Sequence, residues 1–271
     1  MTAPRPERVL ITGAAGAIGS TVHDGLSGRY ALLRLADRRP LTTRHDGEES
    51  VICDVTDPDA VRRALAGIDC VVHLAGIPRE QAWDAILPNN IVGTYHVFEA
   101  ARACGVKRVI YASSNHVIGY YRNDQRVGIA DVPRPDSRYG VSKVFGEALG
   151  RLYADKHGLA VAALRIGSFR RQPEDSRQLA TWISPRDMVE LVRCAIEAPD
   201  YHYVVVYGVS ANRRARWDNP DAARIGYVPR DDAERYADLF PEPAPQDDPS
   251  QQFHGGGFCA LEWSGDADRI D

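Results

Sequence analysis

Gly13, Gly16 and Gly19 recur at intervals of three between the β-prone run Arg8–Thr12 and a helical pattern that reaches about Leu26. No other feature of the chain constrains its fold as strongly. Glycine lets the backbone turn tightly off a strand and lets the following helix begin close against it. The first turn of that helix, at Ala17 and Ile18, then offers free N–H groups and the positive end of the helix dipole. A strand, a glycine turn and a helix in that order read as the pyrophosphate cradle of a dinucleotide-binding βαβ unit.

The pattern that follows agrees. Short apolar runs at 32–36, 51–53, 70–74, 108–112 and 160–166 read as strands. Helical stretches separate them: Pro58–Leu65 with Asp57 as its cap, 82–103 with Pro88 as a kink or dividing point, and 137–157. This alternation predicts an α/β fold: a doubly wound parallel (Rossmann) sheet with a small C-terminal substrate-binding region. After Ile166 the pattern loosens. Residues 167–183 read as an irregular loop, Pro185–Glu197 as a helix capped by Ser184, and 203–207 as a strand. The expected organisation is one domain over 1–240, with 167–240 supplying most of the substrate region, and an acidic Pro/Gly-rich extension over 241–271. That extension has seven acids, four prolines and one arginine, and reads as mobile, although its apolar stretch 258–263 predicts that part of it docks.

Composition narrows the function. The 271 residues carry a net charge of −4, which gives no support to nucleic-acid binding by bulk charge. The longest apolar runs are far below the roughly 18 residues of a membrane span. Cys53, Cys70, Cys104, Cys194 and Cys259 form no CxxC pair or zinc-spaced cluster, so they read as free thiols in a reducing cytoplasm, with no metal expected.

Several residues carry chemistry. Asp37, at the end of the second strand, suits the adenosine ribose hydroxyls and repels a 2′-phosphate, which points to NAD, although Arg38 and Arg39 can attract such a phosphate. Asp54, followed by Val55, is placed to meet the adenine edge. Leu74, Ala75 and Gly76 let the backbone pass close to the cofactor, while His73 reads as a packed histidine and Asn90, a polar residue in a helix interior, as a brace of the active site counted among the cofactor-binding residues. The strongest signal is Ser114 together with Tyr139 and Lys143. Residues four apart share a helix face, so the Lys143 ammonium can stabilise a tyrosinate and make Tyr139 a base near neutral pH. Ser114, past the end of the 108–112 run, points its hydroxyl across the same cleft.

These motifs, in this order, resemble the extended short-chain dehydrogenase/reductase family over about residues 8–166. A narrower resemblance, to the uronate dehydrogenase family, rests on 113–121 (SSNHVIGYY), 165–168 (RIGS), Arg177, Thr181-Trp182 and Trp217-Asp218-Asn219. It implies NAD-dependent oxidation of D-glucuronate or D-galacturonate at C1 to the aldarolactone, in a homo-oligomer. It also implies that Asn115 and His116 bind sugar hydroxyls and that Ser168 and Arg177 hold the substrate, Arg177 by its carboxylate. Arginine's planar fork suits that role. The sequence departs from the pattern at Pro78, where a substrate-binding serine is expected; Arg79 follows it. Two other readings share the dinucleotide fingerprint: a sugar epimerase or dehydratase that retains its NAD, and a dinucleotide sensor without turnover. The complete Ser-Tyr-Lys set disfavours the sensor. The roughly 75 residues between Ile166 and Phe240 make a cap too small for a nucleotide sugar.

Overall fold

The computed structural model describes residues 5–241 and 248–270. Seven strands make one parallel sheet: β1 (Arg8–Thr12), β2 (Leu32–Asp37), β3 (Glu48–Ile52), β4 (Cys70–His73), β5 (Arg108–Ser114), β6 (Ala160–Ile166) and β9 (Tyr203–Gly208). Their order is β3-β2-β1-β4-β5-β6-β9. The direction of winding reverses between β1 and β4, which opens a crevice at the carboxyl ends of those strands. A two-residue pair, β7 (Ser168–Phe169) and β8 (Trp182–Ile183), lies apart from the main sheet.

The strands are apolar on both faces because both are covered. Val9 and Ile11 of β1 join a core with Leu35, Ile110 and Leu164 under helices α1 (Ala17–Leu26) and α7 (Pro185–Glu197). Leu10, on the opposite face, joins Val71, Val109 and Val161 under α2 (Pro58–Leu65), α4 (Gly93–Ala103) and α5 (Arg138–His157). Two caps fall where the sequence places them, Asp57 accepting from the Asp59 and Ala60 N–H groups and Ser184 from Asp187; Ser137, expected as the first residue of its helix, is its cap and accepts from Gly140. The helix expected over 82–103 is divided. A short α3 (Trp83–Ile86) passes through a π-helical turn at Leu87–Val92 into α4, with the Gly93 N–H reaching back to the Pro88 carbonyl. Pro88 lacks an N–H to give, so the wider turn accommodates it.

Two expectations need correction. Residues 167–183 are not wholly irregular, since they contain β7, β8 and the single turn α6 (Gln178–Thr181). And the extension is not simply mobile over 248–270. Beyond α8 (Pro220–Arg224), the chain returns through α9 (Pro249–Gln252) and α10 (Gly257–Ala260), with Phe253 and Cys259 fully buried. Its backbone runs antiparallel to 119–123: Asn123 N–H donates to Gln252 O, His254 N–H to Tyr121 O and Gly255 N–H to Gly119 O. The part of the expected extension that falls on 242–247 and 271 lies outside the described residues.

One buried ion pair ties α5 to the sheet. Arg165 of β6 donates twice to the Glu147 carboxylate, 2.9 Å at each nitrogen, and Ser113 of β5 donates to the same carboxylate at 2.6 Å. Both charged side chains are almost fully buried. Removing one member strands the other charge in the interior, which costs about 3–5 kcal/mol. Chemical denaturation of Glu147→Ala should therefore show a loss of about that size; a loss within about 0.5 kcal/mol, as for an ordinary surface substitution, would contradict a structural role for the pair.

Candidate active site

A cavity of about 690 Å³ opens at the carboxyl ends of β1, β2, β4, β5 and β6. At its floor, Gly13 has φ +69°, and a Cβ there would lie 2.7 Å from the Ala75 nitrogen. A side chain on Gly19 would overlap the Gly13 carbonyl. These two glycines let β1, α1 and the strap after β4 meet. Gly16 begins α1 with no side-chain cap, and Ala17, Ile18 and Gly19 line the cavity with it. The first N–H groups of a ten-residue helix thus face a space that side chains leave open, which suits a pyrophosphate.

Asp37 also lines the cavity, its carboxylate accepting from the Ala15 N–H at 3.0 Å. Asp54 accepts from the Thr56 N–H and hydroxyl, which hold its pKa below the usual value. Val55, Leu74, Ala75 and Gly76 continue the wall. These residues fit a dinucleotide. Asn90 is the exception among the cofactor residues expected from the sequence, because it does not line the cavity. It is buried behind the wall, where its amide exchanges hydrogen bonds with the Ile77 N–H and carbonyl and donates to Ser142. It positions the loop after β4 rather than facing a ligand; its neighbour Asn89 does face the cavity. His73 is fully buried between Thr12 and Thr94, and burial drops its pKa to about 3, so it is a neutral packing residue.

Ser114, Tyr139 and Lys143 converge on the other half of the cavity, with Asn115, His116, Ser168 and Arg177 around them. Ser114 lies at the last position of β5, because that strand runs two residues further than the apolar run suggests. Its hydroxyl accepts the His116 N–H at 3.3 Å. Tyr139 enters α5 one residue after its first, and Glu80 secures that end: it accepts from the Tyr139 N–H at 2.9 Å and from Arg138 at 2.7 Å.

The electrostatics differ in one respect from expectation. Burial pushes Tyr139 up to about 12, and the Ser114 hydroxyl is the group that opposes this. Lys143 stands 5.4 Å from the Tyr139 ring centre, but its ammonium donates to the Ala112 carbonyl at 2.8 Å, and its own burial pulls it down to about 8. In this state Ser114, rather than Lys143, favours the phenolate.

Arg177 is held by the extension, its Nη1 donating to the His254 carbonyl at 3.0 Å. Among the described residues no carboxylate lies within 4.0 Å of it, and desolvation lowers its pKa. The Asn115 Nδ2 is buried without a hydrogen-bond partner. Ser168 shares a 2.9 Å hydrogen bond with Thr181. Pro78 and Arg79 line the cavity near the loop after β4, and the Arg170 charge is paired with Glu174. Sequence reasoning missed Glu80 and Asp136, and it expected part of the extension to dock without placing it at this site. Phe258 stacks on the His116 ring at 4.0 Å between centroids, and Gly255 and Gly257 line the cavity. The apolar stretch at 258–263 was the available signal; an acid just before a capping serine gave no distinct one.

The sequence profile of the NAD dependent epimerase/dehydratase family matches residues 9–185. A uronate dehydrogenase of Pseudomonas putida is 44% identical over 96% of this chain and 98% of its own length. A uronate dehydrogenase of Agrobacterium fabrum is 45% identical over 93% of this chain and 96% of its own. The crystal structure of a mutant uronate dehydrogenase from Agrobacterium tumefaciens, complexed with NAD, superposes with a TM-score of 0.89 at 42% identity, covering 93% of this chain and 97% of that one.

The buried Lys143 generates a stability prediction. Its folded pKa lies below its ordinary value of about 10.5, so below about pH 8 the folded state carries a desolvated charge that the unfolded chain solvates. That penalty fades as pH rises from about 8 towards 10.5, because there the folded protein has released the proton and the unfolded chain still binds it. Lys143→Met should melt higher than the parent at pH 7, with the difference shrinking across that window and with activity lost. A Tm difference independent of pH would contradict it.

Proposed function

We propose that this chain, which belongs to the NAD dependent epimerase/dehydratase family, is a uronate dehydrogenase that oxidises cyclic D-glucuronate or D-galacturonate at C1 to the aldarolactone with NAD as acceptor. The observation that carries this reading is Arg177. A part-buried guanidinium without a carboxylate partner within 4.0 Å among the described residues, in the same cavity as Ser114 and Tyr139, is a receptor for an anionic substrate group. Asn115 lines the same cavity, and its Nδ2 lacks the acceptor that a sugar oxygen supplies.

The chemistry divides between cofactor and protein. NAD, when bound, supplies the hydride acceptor. Arg177 fixes one end of the sugar through its carboxylate. Ser114 and Tyr139 receive the C1 hydroxyl at the other end. Tyr139 Oη takes the hydroxyl proton as C1 gives up its hydride, so the hemiacetal carbon becomes the lactone carbonyl. Ser114 supports the phenolate form of Tyr139 that accepts this proton, and Lys143, anchored on Ala112, keeps an ammonium 5.4 Å from the ring centre.

Two finer points complete the reading. The exposed apolar side chains Trp83, Tyr95, Val141 and Leu152, on α3, α4 and α5, support a homo-oligomer contact through those helices. The five free cysteines support a cytoplasmic setting. No helix among the described residues is long and apolar enough to cross a membrane.

The assay is NADH formation at 340 nm with D-glucuronate, D-galacturonate, glucose and glucose 6-phosphate. Both uronates should react, and glucose should not. Arg177→Met should lower kcat/KM for the uronates by about thirtyfold or more, since truncating one partner of a desolvated charge pair costs about 2–5 kcal/mol. Tyr139→Phe should abolish turnover and retain NAD binding. A preference for glucose 6-phosphate would reassign the Arg177 site to phosphate, and equal rates with glucose would remove its anion role.

A further inference from the structure

His116 has a partner that the reaction as described does not use. Asp136 lies in the loop just before α5, and its carboxylate has no solvent exposure. Oδ2 stands 2.6 Å from His116 Nδ1, and Oδ1 accepts from the Ser137 hydroxyl at 2.6 Å. The space for this carboxylate is made by two glycines distant in sequence. A Cβ on Gly119, or on Gly255 of the C-terminal extension, would overlap the same Asp136 oxygen. Two separate segments of backbone are therefore shaped around one carboxylate. Among the described residues no lysine or arginine comes within 4.0 Å of it; His116 is its ion-pair partner, and the Cys259 thiol donates to the same Oδ2 at 4.0 Å.

The consequences for the imidazole follow from donor chemistry. An ionised carboxylate only accepts, so the short contact at Nδ1 requires the proton on that nitrogen. The ring is further clamped between Phe258, stacked on it at 4.0 Å, and Tyr139, edge-on at 5.6 Å. Of its two nitrogens only Nε2 is left for a ligand in the cavity that His116 lines.

We propose that Asp136 is a positioning residue of the substrate site: it holds His116 in the Nδ1–H tautomer and leaves Nε2 as the acceptor for a non-reacting ring hydroxyl of the sugar. This rests on the uronate reading for the identity of the sugar; the tautomer itself does not. A fixed acceptor beside a fixed arginine selects among epimers, because only one arrangement of ring hydroxyls places an O–H on Nε2 while the carboxylate is on Arg177.

Two measurements on the full chain test it. The first is a long-range 1H–15N correlation spectrum of histidine-labelled protein, with His116 assigned by its absence from His116→Gln. The parent should show Nδ1 protonated, and Asp136→Ala should shift His116 towards the Nε2–H form. An Nε2–H ring in the parent, or an unchanged Nδ1–H ring in Asp136→Ala, would overturn the proposal. The second is steady-state kinetics with D-glucuronate, D-galacturonate and D-mannuronate. Asp136→Ala should raise KM for the preferred uronate about tenfold and compress the differences among the three, with kcat and the Kd for NAD changed by no more than about threefold. Asp136→Asn, which keeps an oxygen for the Nδ1 proton, should fall in between, and it serves in both measurements if the alanine variant does not fold. A fall in kcat at constant KM would refute the positioning role. If the parent oxidises no uronate, the functional reading fails, while the spectra still decide the tautomer.

Discussion

The bidentate pair between Glu147 and Arg165 ties α5, which carries Tyr139 and Lys143, to β6, and the Ser113 hydroxyl on the same carboxylate ties it to β5, which ends in Ser114. Glu147 lies two turns along α5 from Tyr139 and one from Lys143, and it also receives the Ser113 hydroxyl next to Ser114. One buried carboxylate therefore fixes α5 against the ends of β5 and β6. A pair of this kind contributes little net stability compared with an apolar replacement of the same shape. Its consequence here is geometric: it keeps a serine on a strand and a tyrosine on a helix facing one cavity.

The cavity is asymmetric in its chemistry. One half is backbone: a glycine turn, an uncapped helix start and the strap after β4, with Asp37 and Asp54 at the edge. That half recognises a cofactor through groups every residue carries, so it depends on glycine and small side chains. The other half is made of side chains that are wholly or partly buried and incompletely paired, including the part-buried Arg177 guanidinium and the buried Asn115 amide. Groups of that kind are costly without a ligand, which is why they are informative about what binds.

The parallel sheet was legible because strands covered on both faces are continuously apolar and their helices are capped by residues of the expected type. The cofactor half was legible for a related reason, since GxxGxxG and Asp37 act locally, within a strand and its own turn. Three things were not. Asn90 sits in a helix near the site, and only the tertiary structure shows that its amide is spent on Ile77 and Ser142. The expected influence of Lys143 on Tyr139 follows from helix spacing, yet burial of both groups and the Ala112 carbonyl outweigh it. The C-terminal extension is acidic and rich in proline and glycine, which reads as an unpacked segment. Gly255 and Gly256 instead lie against Asp136 and Arg177, where a side chain would collide, and Gly256 takes φ +62° there. Composition reports what a segment can bury, and it is silent on where a narrow backbone is required.

The central claim is that C1 of a uronate held on Arg177 gives its hydrogen to NAD while Tyr139 takes the proton. It is tested most directly with D-glucuronate carrying deuterium at C1. The account predicts that the reduced cofactor acquires the deuterium at C4 of the nicotinamide, one label per turnover. Reduced cofactor formed without label would place the oxidation at another carbon and contradict the account.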